Sequence, residues 1–321
     1  MAGGCSREAG LSRETSVRYL VGRLAWALLI LLGTSAITFA IVFLVPGDPA
    51  RVVAGPRADA ETIATVRREL GLDRPVAVQY GWYLRRLVRG DLGRSYTTRQ
   101  PVTELLRRRL PATATLACAG LAVAIVVGVG GALVTAALAG GWIDRVAFLG
   151  SLALLSTPVF WLGMLALYYV AFRWRLLPLG GAGGIRHLVL PALVLGLGTG
   201  AYYARLLHTN LVAVLGLDYI RAARARGVGT VRLVAVHALR NASLPLITVV
   251  GLDLAALMNG VVLTETVFHW PGLGRLAFDA VLGLDVPVIM GTVLLSATLV
   301  VLTNVAVDLI YRLVDPRIRL R

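Results

Sequence analysis

The stretch GLDYIRAARARGVGTVRLVAVHALRNASLP, Gly216–Pro245, lies between two strongly apolar segments and carries arginine at 221, 224, 226, 232 and 240. Its first third has the marks of a short helix. Asp218 is a good N-cap, Ala222, Ala223 and Ala225 are strong helix formers, and Gly227 suits the left-handed position just past a helix end. The surface of such a helix is small, basic and polar. On the charged side of a membrane protein it offers a knob to something soluble.

Working outward, the flanks decide the class. The chain is 57% hydrophobic with a mean hydropathy of +0.77, far from the balance of a soluble domain. Apolar runs without charge occupy Leu24–Val45, Leu110–Ile143, Val146–Phe172, Leu188–Ala204 and Val286–Val307, and Asn241–Glu265 is broken only by Asp253. A spanning helix needs about 20 apolar residues, so an all-α membrane protein of six transmembrane helices is expected. The second run is too long for one upright span. The 188–204 run is short and rich in glycine.

Six spans put both termini on one side. Arg7, Arg13, Arg18 and Arg23 precede the first span, Arg312, Arg317, Arg319 and Arg321 end the chain, and the Arg205–Arg240 loop falls on the same side. The excess of arginine makes that side cytoplasmic, giving an N-in, C-in topology. The expected layout is a cytoplasmic segment 1–23, a first span 24–45, an external helical insertion 46–109, a five-helix core 110–312 with a cytoplasmic loop 205–243, and a tail 313–321. The insertion holds thirteen arginines against seven acids, against the charge rule. It is long enough for translocation to proceed regardless of charge.

All 32 basic residues are arginine. The missing lysine excludes a P-loop lysine, a Schiff base and a Ser–Lys pair on this chain. A pI near 11.0 raises nucleic acid, but the arginines flank spans and form no single soluble basic face. Cys5 and Cys118 support neither a disulfide framework nor a metal site, and Cys118 reads as a small packing residue. His187, His208, His237 and His269 lack ligand spacing, so no metal or other cofactor is expected on the chain.

In the insertion, Asp59 opens a helix ended by Gly71, and Pro75 opens a second through about Val88, ended by Gly90. The second interleaves Trp82, Tyr83, Leu84 and Leu87 with Arg85, Arg86 and Arg89. That pattern suits a helix on the membrane surface or a cap packed on the outer face of the bundle. The Arg173–His187 loop, with Gly180-Gly-Ala-Gly-Gly184, is external: either a plain connector or a contact for a soluble partner.

These residues together resemble the permease subunits of ABC importers of the dipeptide, oligopeptide and nickel class. The Gly216–Pro245 loop resembles the signature of binding-protein-dependent permeases, in which two alanines precede a glycine; here Ala222, Ala223 and Gly227. Val45-Pro-Gly-Asp-Pro49, Gly71-Leu-Asp-Arg-Pro75, Gly90-Asp-Leu-Gly-Arg-Ser95, Arg109-Leu-Pro-Ala-Thr113, Trp270-Pro-Gly-Leu-Gly274 and Asp315-Pro-Arg317 match in order along nearly the whole chain. Arg221 stands where the general signature has an acid, and Leu239-Arg240 where it has Leu-Pro. These departures narrow the likeness to the peptide branch and leave the docking contact itself open.

The resemblance implies half a translocation pathway, completed by a second homologous permease. It implies two ABC ATPase subunits or one fused ATPase that bind ATP and Mg²⁺, an extracytoplasmic binding protein, and a multi-pass place in the bacterial cell membrane. Asp218, Arg221, Ala222, Ala223, Arg224, Arg226 and Gly227 would then form the ATPase-coupling element, the alanines permitting close approach to a groove. The alternative is that the arginines only fix topology. Polar residues inside spans are the pore candidates: Asp253, Asn259 and Glu265 on the fifth, Asn304 and Asp308 on the sixth. Each has an alternative role in hydrogen bonding between helices.

The cargo stays open between dipeptides, longer peptides, a nickel chelate, haem or another small solute. A secondary transporter would need discontinuous helices and repeats, which the sequence does not display. An intramembrane enzyme would need a nucleophile–base pair or a metal motif, and neither occurs in a span.

Overall fold

A computed structural model describes residues 5–44, 47–55, 57–258 and 261–314. The described chain is helical, with one isolated bridge between Arg94 and Pro101. It divides into two compact units: Met1–Thr103 with Ala280–Val301, and Glu104–Asp279 with Leu302–Arg321.

The first unit begins with α1, Cys5–Leu44, whose window Ala25–Val42 is apolar enough to cross a membrane. Three short helices follow: α2, Pro49–Ala54; α3, Ala60–Glu69; and α4, Val76–Val88. Their ends follow local chemistry. Asp59 caps α3 by accepting from the Thr62 N–H at 2.9 Å. Gly71 and Gly90 stop α3 and α4 with positive φ of 69° and 75°. In each case the two N–H groups past the cap turn back to orphan carbonyls: Gly71 and Leu72 to Arg68 and Arg67, Gly90 and Asp91 to Leu87 and Arg86. On α4, Tyr83 is buried in a cluster with Phe39, Val286 and Met290, while Trp82 remains exposed. Within this unit α4 is a cap packed on apolar residues.

The second unit holds α5, Val102–Ala137, whose first two residues fall in the first unit; α6, Trp142–Ser156; and α7, Val159–Ala166, which continues as a π-helical turn, Leu167–Arg173. Then come α8, Ile185–Leu215; α9, Asp218–Ala225; α10, Thr230–Arg232, continued by π-helical Leu233–Ala238; α11, Leu239–Ala242; α12, Leu244–Met258; and α13, Val262–Val267. Two helices, α14, Leu273–Leu282, and α15, Val286–Val314, run from one unit into the other.

Four helices, α1, α5, α8 and α15, are long and apolar enough to span a membrane, and six spans result if each of two bent pairs is one span. The bent pairs correct the sequence reading of helices without breaks. α6 and α7 meet at 101°, and the α10–α11 segment meets α12 at 59°. Proline explains both. Pro158 has no N–H for Leu154, and Thr157 before it is extended at ψ 124°. Pro245 likewise leaves the Asn241 carbonyl without its helical donor. A further difference is that α8 runs past Ala204 to Leu215, so the loop expected from Arg205 begins as helix.

Small residues let α5 and α8 approach closely. A Cβ on Gly196 would lie 2.6 Å from the Gly120 carbonyl oxygen, and one on Gly128 would lie 2.5 Å from the Tyr203 Cβ. Below that contact, Tyr203, Leu207 and Leu211 of α8 join Ile220, Leu233, Val234 and Ala238 in one buried cluster. Cys118 is exposed on α5 and is no internal packing residue.

Candidate functional site

The short helix foreseen around Asp218–Gly227 forms as α9. Asp218 is not its N-cap: Leu217 holds that place in extended conformation, and no side chain caps the helix. Asp218 sits instead in the first turn, where its charge favours the helix dipole. It faces Arg221 at 3.2 Å, both side chains exposed, a pair worth a few tenths of a kcal/mol. Arg221 also donates to the Gly216 carbonyl at 3.2 Å. At the other end Gly227 takes φ 83°, its N–H reaching the Arg224 carbonyl and that of Val228 reaching Ala223. This is the left-handed stop that glycine allows.

The helix has two faces, and they divide the candidate residues. Ile220 and Ala223 point inward, Ala223 being only 6% exposed, and join the cluster of α8 and the π-helical turn after α10. Burying Ile220 contributes roughly 2 kcal/mol to holding α9 on the chain. Tyr219 adds a polar tie, accepting from the Asn241 side-chain amide at 2.9 Å. The outward face carries Asp218, Arg221, Ala222, Arg224, Ala225, Arg226 and Gly227, all exposed. Ala223 is therefore corrected: its small side chain fits the helix to its own scaffold and is not part of the outer surface. Neither Arg224 nor Arg226 reaches an acid within ion-pair distance among the described residues; Arg226 donates only to the Ala222 carbonyl.

Among the described residues, the pore candidates Asp253 and Glu265 sit in separate hydrogen-bond networks. Asp253 accepts from the Tyr203 hydroxyl at 2.7 Å, linking α12 to α8. Glu265 is 0% exposed. It accepts from the Thr113 hydroxyl at 2.7 Å and from the Arg275 N–H at 2.9 Å, in the first turn of α14. Thr113 in turn accepts from the Leu273 N–H at 2.7 Å, and the Trp270 indole donates to the Ala112 carbonyl at 2.8 Å. The Trp270–Gly274 motif now has a physical reason. A Cβ on Gly272 would run into the Glu265 carboxylate, so the glycine makes room for it. Glu265 thus ties α13, α14 and α5 together. Asn304 is exposed on α15, Asn259 lies outside the described residues, and nothing is described of the Asp308 side chain.

A second carboxylate of this kind was missed. Asp285, buried just before α15, accepts from the Ser95 hydroxyl and from the Tyr96 and Thr97 N–H groups, within the first unit. No local signal joins residues so far apart in sequence. Among the described residues no group of three side chains could hold a metal ion.

Comparison with known proteins places these elements. Residues 128–320 match the family model described as binding-protein-dependent transport system inner membrane component, and residues 16–117 match that family's N-terminal model. The chain is 38% identical to the dipeptide transport system permease protein DppB of Escherichia coli (strain K12), covering 94% of this chain and 99% of that protein. It is 39% identical to the glutathione transport system permease protein GsiC of Salmonella choleraesuis (strain SC-B67), with the same coverage. Among solved structures, an inward-facing MetNI methionine ABC transporter chain aligns with a TM-score of 0.57 at 20% identity, over 66% of this chain and 97% of that one. At that identity the likeness is one of fold.

Proposed function

The chain belongs to the binding-protein-dependent transport system inner membrane components, and on that premise we propose that it forms half the translocation pathway of an ATP-driven importer of dipeptides and short oligopeptides. The observation that carries the reading is the match, end to end, to permeases named for a dipeptide and for the tripeptide-sized glutathione. It is a membrane transport component with its energy supplied from elsewhere. In this reading ATP and Mg²⁺ belong to two ATPase subunits or one fused ATPase, a homologous permease supplies the other half, and an extracytoplasmic binding protein delivers the peptide.

Each bent pair counts as one span, which gives six spans with both termini cytoplasmic. The layout is then the segment 1–23, first span 24–45, external insertion 46–109, core 110–312 and tail 313–321. α9 is the coupling element. Its inward face, Ile220 and Ala223, moves with its own scaffold, while Asp218, Arg221, Ala222, Arg224, Arg226 and Gly227 meet the ATPase. Two guanidinium groups without acidic partners among the described residues favour that contact, because Arg can fork to a partner's carboxylate or backbone carbonyls. Asp253, Asn259, Glu265 and Asn304 stand as the pore candidates, and Asp253 and Glu265 also tie helices together through their hydrogen bonds to Tyr203 and Thr113. Loop 173–187 touches the docked binding protein.

The test is a reconstituted transporter with its ATPase, second permease and binding protein. Reversing Arg224 and Arg226 to glutamate should leave assembly intact and abolish peptide-stimulated ATP hydrolysis. Full stimulation in that variant would sink the assignment of α9. Absence of stimulation by any di- or tripeptide in the unaltered complex would sink the cargo class.

A further inference from the structure

A groove of about 710 Å³ lies between α5, α6 and α8, and nothing described above accounts for it. Arg205 and Arg145 line it together with apolar Val127, Phe148, Leu149 and Leu154. Arg205 is half-buried, and its guanidinium carbon sits 4.8 Å over the Phe148 ring. Neither arginine has a carboxylate within ion-pair distance among the described residues. The single acid in the groove, Asp144, is already occupied. It accepts from the Gly140 N–H at 3.1 Å and lies 3.8 Å from His208 Nε2, while His208 Nδ1 shares a hydrogen bond of 2.9 Å with the Thr135 hydroxyl. A half-buried guanidinium at the edge of an apolar region without a counter-ion is unfavourable, so the site calls for an anion.

The surroundings specify which anion. Arg205 directly follows the apolar run Leu188–Ala204, at the level where a headgroup meets hydrocarbon. α6, forming one wall, has no buried residue, and its first residue Trp142 is 74% exposed, as interfacial tryptophans are. The chemistry is that of an amphipathic anion, with charge at one end and an apolar body along α6. We propose that the groove binds one anionic phospholipid, its phosphate held by Arg145 and Arg205 and an acyl chain lying along Phe148, Leu149 and Leu154. On the orientation proposed above this is the cytoplasmic leaflet, the one α9 faces. The bound lipid neutralises Arg205 and fills the wall between α6 and α8, so the complex depends on anionic lipid independently of its cargo.

The experiment uses the assembled transporter in nanodiscs of phosphatidylcholine with added phosphatidylglycerol, bound lipid being counted by native mass spectrometry without peptide or ATP. The unaltered complex should retain phosphatidylglycerol in preference to phosphatidylcholine. The double variant Arg145→Gln, Arg205→Gln should lose that retention by about thirtyfold, since each of the two basic contacts near the surface contributes on the order of 1 kcal/mol and about 1.4 kcal/mol is tenfold. Leu149→Trp, which fills the groove and leaves both arginines, should lose it too. Equal retention by all three complexes overturns the proposal. So does unchanged lipid retention with a higher peptide concentration for half-maximal ATPase stimulation, because the anion would then be the carboxylate of the cargo. Cross-linking of Leu149→Cys to the partner permease would also overturn it, the groove being a protein interface. None of these outcomes depends on whether peptide is the cargo, which the ATPase assay reads separately.

Discussion

At the scale of the residue, Ala222 and Ala223 separate two functions that the sequence runs together. The signature places two alanines side by side, and smallness alone gives both the same role. A helical turn of about 100° per residue sends them to different faces. Ala223 joins Ile220 under α9, and Ala222 faces outward. Ala223→Trp should overpack the α8–α9 contact by roughly 1–3 kcal/mol and reduce the yield of folded chain in the membrane. Ala222→Trp should leave yield unchanged and abolish peptide-stimulated ATP hydrolysis. Quantifying membrane-inserted protein beside ATPase activity separates the two, and equal loss of yield in both variants contradicts the burial pattern. Gly227→Ala meets no neighbouring atom, yet its φ of 83° should weaken the end of α9 by about 1–2 kcal/mol.

Tyr83 makes a different point at the same scale. Its hydroxyl is buried without a hydrogen-bond partner among the described residues, and burial pushes its pKa up to about 12. The unfolded value is about 10. A raised folded pKa means that the neutral ring contributes stability fully below pH of about 10, and that this is lost as the pH rises through about 12. Tyr83→Phe removes a buried unpaired polar atom, so it should be neutral or stabilising at pH 7 and should flatten the alkaline loss. Thermal unfolding between pH 8 and about 12 reads both effects, and a variant clearly less stable at pH 7 would be inconsistent with an unpaired hydroxyl.

At the scale of the element, what could be read in advance follows the range of the forces. Asp59, Gly71, Gly90 and Gly227 act on their own turns, so the start of α3 and the stops of α3, α4 and α9 were legible, whereas the cap expected at Asp218 falls to Leu217. The prolines at 158 and 245 were equally visible, but long apolar runs around them outweighed their breaking of the helix, and both bends were missed. Glu265 was legible as an unusual polar residue and illegible as a partner of Thr113, because nothing local records a contact across 152 residues. The glycine of the Trp270–Gly274 motif is the trace that such a network leaves in sequence. Gly272→Ala should drive a methyl group into the Glu265 carboxylate and destabilise the α13–α14 turn. In a Glu265→Ala background the same change should be much milder, since the group it collides with is gone. A double-mutant cycle by thermal unfolding tests this. Additive losses would mean that Gly272 serves the backbone alone.

At the scale of the whole molecule, the topology turns on how the bent pairs are counted. Four straight apolar helices also put both termini on one side, but they leave α6–α7 and α10–α12, each strongly apolar, without a place in the bilayer. Backbone in hydrocarbon must satisfy its own hydrogen bonds, and a bend at a proline is tolerated where neighbouring helices cover it. On the proposed six-span reading, α6 and α7 make one interrupted span and α10–α12 another. The two counts differ in a measurable way. With six spans, Gly181 and Arg89 lie outside and Arg226 lies inside. If both bent pairs were re-entrant, α5 and α8 would be the second and third crossings, Gly181 would lie inside and Arg226 outside. With Cys5 and Cys118 replaced by alanine, single cysteines at 89, 181 and 226 can be labelled with a membrane-impermeant maleimide on intact spheroplasts. Positions 89 and 181 should react at once, and position 226 only after permeabilisation. Reaction of 226 on intact spheroplasts would place α9 away from ATP and remove the basis for its role in coupling. Labelling of 89 but not 181 would mean that one bent pair turns back within the bilayer.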